Sequence, residues 1–363
     1  MKKLITILSL FMLSSCSSKA NINELEWNFP NCGTSLLNNQ SIIKVCATRD
    51  YIANAPQKRK KDWLAFLAAE GSSGYKGSRE SVGGILEFQN QELNFKGHVW
   101  DFSKQGFPIV VFRGHDTIVQ NGILLNTYVS LGGNYIPPNF TTGEQKNNLS
   151  IKENGFLYAK EYSSGAYQGS IENFYFKNMK NHSDTLDLSS WGGGILSSQF
   201  IIENYIYIAG SKATIIANQI ISKAKSFNDK PLFTLQKQNF STLIDFSKQI
   251  FPDQADDKTA IPSTLYVKFS PDTIIDSNTF TLTQRNDQAY AIVLDHSPRV
   301  RITNNTFNGF KVPILMDQWS SIVDEKGNEI KHENFTGYGN LINPDKFAGN
   351  VTMNRKGEIV INN

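Results

Sequence analysis

Twice in the last hundred residues the chain alternates branched apolar and polar positions, turns at a polar corner and resumes at Phe. The two phrases are Thr273-Ile-Ile-Asp-Ser-Asn-Thr-Phe-Thr and Val300-Arg-Ile-Thr-Asn-Asn-Thr-Phe-Asn-Gly. Weaker copies stand at Thr117-Ile-Val-Gln-Asn-Gly, Ser170-Ile-Glu-Asn-Phe-Tyr-Phe, Phe200-Ile-Ile-Glu-Asn-Tyr-Ile-Tyr and Thr214-Ile-Ile-Ala-Asn-Gln-Ile-Ile. A short strand that bends at Asn cannot bury its apolar face alone, whereas stacked copies bury one continuous core. The pattern predicts a β-solenoid in which the Asn-bearing corners stack, Asn278 beside Asn305.

Ahead of the repeats, Asp62 is placed to cap a short helix from Trp63 to Glu70, with Trp63, Phe66 and Leu67 on one side. Such a helix would cover the open first turn of a solenoid. Gly83-Gly84-Ile-Leu-Glu-Phe88, Leu93-Asn-Phe95 and Val99-Trp-Asp-Phe102 then read as opening strands. Residues 131–168 and 223–271, rich in Gly or Pro, interrupt the rhythm and read as loops that wall a groove. The alternating Glu358-Ile-Val-Ile361 is expected to cap the C-terminal turn.

The short helix, the Gly-Gly, the Ile-Leu-Glu-Phe strand and the Asn-bearing turns together resemble the pectin-lyase-like superfamily over roughly residues 60–340. The resemblance implies an all-β fold, a single-stranded right-handed parallel β-helix with a short N-terminal capping helix. Its members include lyases, hydrolases, epimerases and non-catalytic surface proteins, so the resemblance specifies the fold well and the activity poorly.

The N-terminus changes the picture of location. Met1-Lys2-Lys3 and the apolar run from Leu4 to Leu13 have the charged and hydrophobic regions of an export signal, too short for a comfortable membrane span. Leu13-Ser14-Ser15-Cys16 resembles the bacterial lipobox, which implies lipidation of Cys16 and removal of residues 1–15; an ordinary signal peptide cut near Ala20 is the alternative. Ser17 after the Cys resembles the outer-membrane sorting choice. The expected division is a signal peptide at 1–15, a lipid-anchored tether with a disulfide segment at 16–55, the β-helix at 56–340 and a C-terminal cap at 341–363. Cys32 and Cys46 are then an even pair in an oxidising compartment, which reads as a disulfide.

Of 36 Lys and Arg against 33 Asp and Glu, processing would remove Lys2 and Lys3 and lower the net charge from +3 to +1. No global field would steer a polyanion, and an exported chain rarely meets nucleic acid, so the expected partners are a polysaccharide and, through the anchor, a membrane, with the protein a monomer. No phosphate-cradling Gly loop, zinc-spaced Cys/His set or Gly-x-Ser-x-Gly is present.

Ile292-Val-Leu-Asp295 and Ile314-Leu-Met-Asp317 are the same strand 22 residues apart. If the aliphatic residues face inward, period two turns both Asp outward, one above the other at about 4.8 Å. Carboxylates at that distance repel, so one should keep its proton or both should share a cation such as Ca2+. The same parity turns Arg113, His115 and Asp187 outward. These five residues are the catalytic candidates, as a carboxylate pair for glycoside hydrolysis or as a cation and base for uronate elimination. Arg299 and Lys212 are alternative cation and base. Trp191, Tyr205 and Trp319, with Arg299, are the candidate substrate contacts, because aromatic faces pack on sugar rings. Gly114-His115-Asp116 resembles the Gly-His-Gly of polygalacturonases, with Asp for the second Gly, and Arg301-Ile302-Thr303 has Thr where that family has Lys. A non-catalytic surface protein with the same solenoid remains the alternative.

Overall fold

The computed structural model describes residues 29–52, 85–103, 109–132, 151–152, 156–157, 173–190, 192–209, 212–224, 261–268, 270–295, 297–317, 320–330 and 338–362. Among the described residues the protein is all-β. The expected export signal, Cys16 and the capping helix at 63–70 lie outside them.

A hairpin opens the fold, Asn31–Leu37 pairing antiparallel with Gln40–Cys46. Asn38 and Asn39 turn it with φ of 50° and 65°, the double left-handed geometry that a two-residue hairpin loop requires. The expected disulfide is present: Cys32 and Cys46 are bonded across the two strands, their Cα atoms 5.9 Å apart.

From there the strands stack in parallel as three rows. The first runs through Gln40–Cys46, Gln91–Asn94, Thr117–Gln120, Phe174–Lys177, Gly194–Leu196, Thr214–Ile216, Ile274–Asp276 and Arg301–Thr303. The second runs from Tyr51–Ile52 and Val99–Asp101 through the first halves of Ile123–Gly132 and Lys180–Ser189 to Gln199–Ile202, Gln219–Ser222, Thr279–Leu282, Thr306–Asn308 and Leu341–Asn343. The third begins with Ile85–Gln89 and Ile109–His115. It continues through the second halves of those two long strands to Ile206–Ala209, Ser263–Lys268, Tyr290–Asp295 and Ile314–Met316. The chain visits the rows in this order and begins again.

Each row contributes inward columns to one core. Leu93, Val119, Phe176, Ile195, Ile215, Ile275 and Ile302 come from the first, Phe200, Ile220, Phe280 and Phe307 from the second, and Leu186, Ile206, Leu265 and Ile292 from the third. Phe280 and Phe307, the Phe of the two clearest phrases, stack with centroids 5.5 Å apart. A side chain of this size contributes about 1.5–3 kcal/mol when fully buried.

The bend between the first and second rows repeats a left-handed residue, Asn121, Asn178, Ser197, Ala217, Ser277 and Asn304, followed from Ala217 onward by a buried Asn. Asn218 Nδ2 donates to Asn278 Oδ1 (2.9 Å), Asn278 to Asn305 (3.0 Å) and Asn305 to Asn340 (3.1 Å). Each amide also donates to a carbonyl of the turn before, and each Oδ1 accepts the backbone N–H of the preceding Asn. The polar corner is thereby satisfied inside the fold, which makes it affordable to bury.

Four expectations need correction. Of the weaker phrases only Thr214-Ile-Ile-Ala-Asn218 joins the Asn ladder; Asn121 falls one position early, Asn173 sits at the bend before the first row and Asn204 at the bend before the third. Residues 223–271 are not all insertion, because Ser263–Lys268 is a third-row strand. Within 131–168, Ile151–Lys152 pairs with Phe156–Leu157. Finally, Ile359–Ile361 does not cap the last turn: it pairs with Val351–Met353, and this hairpin lies against the outer side of the second row.

Candidate functional site

Alternation along the third row sends Leu265, Val267, Ile292, Leu294, Ile314 and Met316 into the core and the residues between them outward. One outward column is Asp187, Tyr207, Tyr266 and Val293. Beside it Ser189, Ala209, Lys268 and Asp295 stand in register, and Asp317 follows one turn on from Asp295, as the 22-residue spacing predicts. The Asp317 N–H donates to the Leu294 carbonyl (3.1 Å).

The two carboxylates are not a bare repelling pair. Lys268 Nζ lies 3.0 Å from Asp295 Oδ2, and the Tyr266 hydroxyl donates to the same oxygen at 2.8 Å. Both partners sit on one strand of the preceding turn, two residues apart and hence on the same side. Asp317 accepts from the Ser320 hydroxyl (2.6 Å). A lysine charge and a phenol on one oxygen favour the ionised form of Asp295. The Tyr266 ring stacks on Tyr207 with centroids 6.1 Å apart, and further along the row the Tyr128 hydroxyl donates to Asp187. Although they point away from the core, Asp187, Tyr207, Tyr266 and Lys268 are only 4, 5, 8 and 7% exposed.

The five catalytic candidates share this row without converging. Arg113, whose backbone pairs in register with Gly132, is on the second strand of the row and Asp295 on the seventh, so five spacings, roughly 24 Å, separate them. His115 is on the same strand as Arg113, in register with Gln89. Asp187, on the fourth strand, is about 14 Å from Asp295 and bonded to Tyr128. Asp295 and Asp317 are neighbours on successive turns, and Arg113 and His115 are two residues apart on one strand.

The substrate contacts fare differently. Arg299 is at the bend leading into the first row, its Nε 2.7 Å from Asp272 Oδ1 and its second nitrogen 3.1 Å from Oδ2, so its guanidinium fastens two successive corners. Tyr205 is buried at the bend before Ile206. Trp191 and Trp319 lie outside the described residues. Among the described residues no group of three or more His, Cys, Asp or Glu side chains gathers as a metal site. The residues missed from sequence are Tyr266, Lys268 and Tyr128. Period two around Val267 was the available signal for the first two.

Three long stretches of chain join this row at its ends: residues 53–84 lead into Ile85, 225–260 into Ser263, and 133–172 depart from Gly132. No protein-family model matches the chain, and no curated protein or solved structure matches it either.

Proposed function

We propose that the chain is an exported, lipid-anchored right-handed parallel β-helix of the pectin-lyase-like kind, and that its third row binds and cleaves an extended polysaccharide. Three parallel rows visited in fixed order and an Asn ladder at one corner support the β-helix. The lipobox at Leu13-Ser-Ser-Cys16 supports the anchor, and loss of fatty-acid labelling in Cys16→Ala is the check.

The observation that carries the activity is the cluster of Tyr266, Lys268, Asp295 and Asp317 on one face. Outward residues on successive turns are about 4.8 Å apart, close to the roughly 5 Å separation of a retaining carboxyl pair. Asp295, kept ionised by Lys268 and Tyr266, is the nucleophile at the anomeric carbon. Asp317 protonates the leaving oxygen, then takes a proton from the water that releases the glycosyl group. The stacked Tyr207 and Tyr266 extend the face along the axis. The low exposure of this same face favours one other reading, a non-catalytic protein in which the cluster locks the row.

The test is a panel of neutral and uronate-rich polysaccharides, assayed for new reducing ends and for anomeric configuration. Hydrolysis with retention that is lost in Asp317→Asn is expected. Asp317→Asn is the cleaner variant because its partner is a hydroxyl, whereas Asp295→Asn strands a buried Lys268, a change that typically costs about 3–5 kcal/mol. Unsaturated products would replace hydrolysis by elimination; binding without products would leave the non-catalytic reading.

A further inference from the structure

The outer side of the second row is apolar where an outer face would ordinarily be polar. Val99 and Ile123 stand in one column and Leu125, Ile201 and Ile221 in the next, contributed by four different turns. The C-terminal segment lies along them. It leaves the last turn at Leu341–Asn343, where the Ala348 and Gly349 N–H groups donate to the Leu282 and Thr283 carbonyls at 2.9 Å each. Val351 and Met353 are then buried against Val99, Ile123, Leu125, Ile201 and Ile221, with Ala348 and Ile359 beside them.

The tip of the hairpin reaches still earlier turns. Gly357, with φ of 71°, lies so close to Lys180 and Ile123 that a Cβ there would be 2.3 Å from Lys180 Cδ. The neighbouring Arg355 helps to hold the carboxyls of Asp50 and Asp101 below their ordinary range. For Asp50 the larger cause is the Val99 N–H; for Asp101 burial works upward and the Ser103 N–H, Asn126 and Arg355 outweigh it. Asp50 and Asp101 belong to the first two turns, and Leu282 to the seventh. At about 3.4 Å per residue, the six steps from Gly349 to Arg355 span roughly 20 Å, comparable with the five spacings, about 24 Å, between the second turn and the seventh.

We propose that residues 348–362 are a strap that couples opening of the first turns to release of the C-terminus. A stack in which each turn touches only its neighbours opens from its ends, one turn at a time. A segment packed across turns two to seven makes the ends interdependent, so that the first turns open when the strap lifts.

Amide exchange on the whole mature protein tests this. Met353→Asp puts a charge into the apolar seam and is expected to speed exchange at Val99–Asp101 and in residues 123–125 by about tenfold or more. Met353→Ala, which only shortens the side chain in the same seam, is expected to speed it there by a smaller factor, about two- to fivefold. Faster exchange confined to Val351–Met353 and Ile359–Ile361, with residues 99–125 unchanged, would overturn the proposal. Should Met353→Asp fail to fold, Met353→Ala decides alone, because it adds no charge to the seam.

Discussion

At the scale of the residue, the fold depends on side chains whose polar atoms are all committed. Asn278 is buried and makes four contacts of this kind: its Oδ1 takes the N–H and the amide of Asn218, and its Nδ2 serves the Ile215 carbonyl and Asn305. Asn278→Ala therefore orphans several buried groups at once, and denaturant unfolding should show a loss of about 3–5 kcal/mol. Asn340→Ala, at the less buried end of the ladder, should cost less. A different residue sets the acid response. Glu203 accepts from His182 (3.3 Å) and Lys223 (2.6 Å), contributed by the turns on either side. The His182 contact foremost, with the Lys223 contact opposing burial, lowers its pKa from 4.5 to about 2. Because the folded pKa is depressed, the stabilisation is present above pH 4.5 and is lost as pH falls toward 2. Melting temperatures measured across that window should fall less steeply in Glu203→Gln than in the wild type.

At the scale of the element, the N-terminal hairpin is specified twice, by its two left-handed Asn residues and by the disulfide that closes a loop of 14 residues in sequence separation. Replacing both Cys32 and Cys46 by Ser should lower the unfolding free energy by about 2–3 kcal/mol, and reductant should reproduce the loss in the wild type. The Cys32–Cys46 bond, the two clear Asn phrases and the outward Asp295 and Asp317 were legible in sequence because each rests on a local pattern, an even pair or an alternation, whereas the hairpin itself falls within the expected tether. The strand Ser263–Lys268 was not legible either. Its period two around Val267 is short and opens on the polar Ser263-Thr264, and Pro262 and Pro271 bracket it like loop residues. Tyr266 and Lys268 were hidden with it, and with them the neutralisation of Asp295. Arg299 was misread for a related reason, since its partner Asp272 stacks one turn away, a relation that no short window contains.

At the scale of the molecule, two kinds of contact hold the turns together. The Asn ladder, the aromatic stacks and the parallel rows join each turn to the next and repeat without limit. The C-terminal hairpin does not repeat: it starts from one fixed place, the Leu282 and Thr283 carbonyls, and reaches another, the neighbourhood of Asp50 and Asp101. That the tail packs on the side was invisible in sequence, because Val99, Ile123, Ile201 and Ile221 form a groove only after five turns are stacked. Its length is set covalently, whereas the distance it crosses is the number of turns times their spacing. The tail is therefore a ruler. A chain in which residues 274–300 are duplicated would extend every row and the ladder by one unit, yet carry the first turns about 4.8 Å out of reach of Arg355. Any lineage that lengthens the stack must lengthen the tail with it.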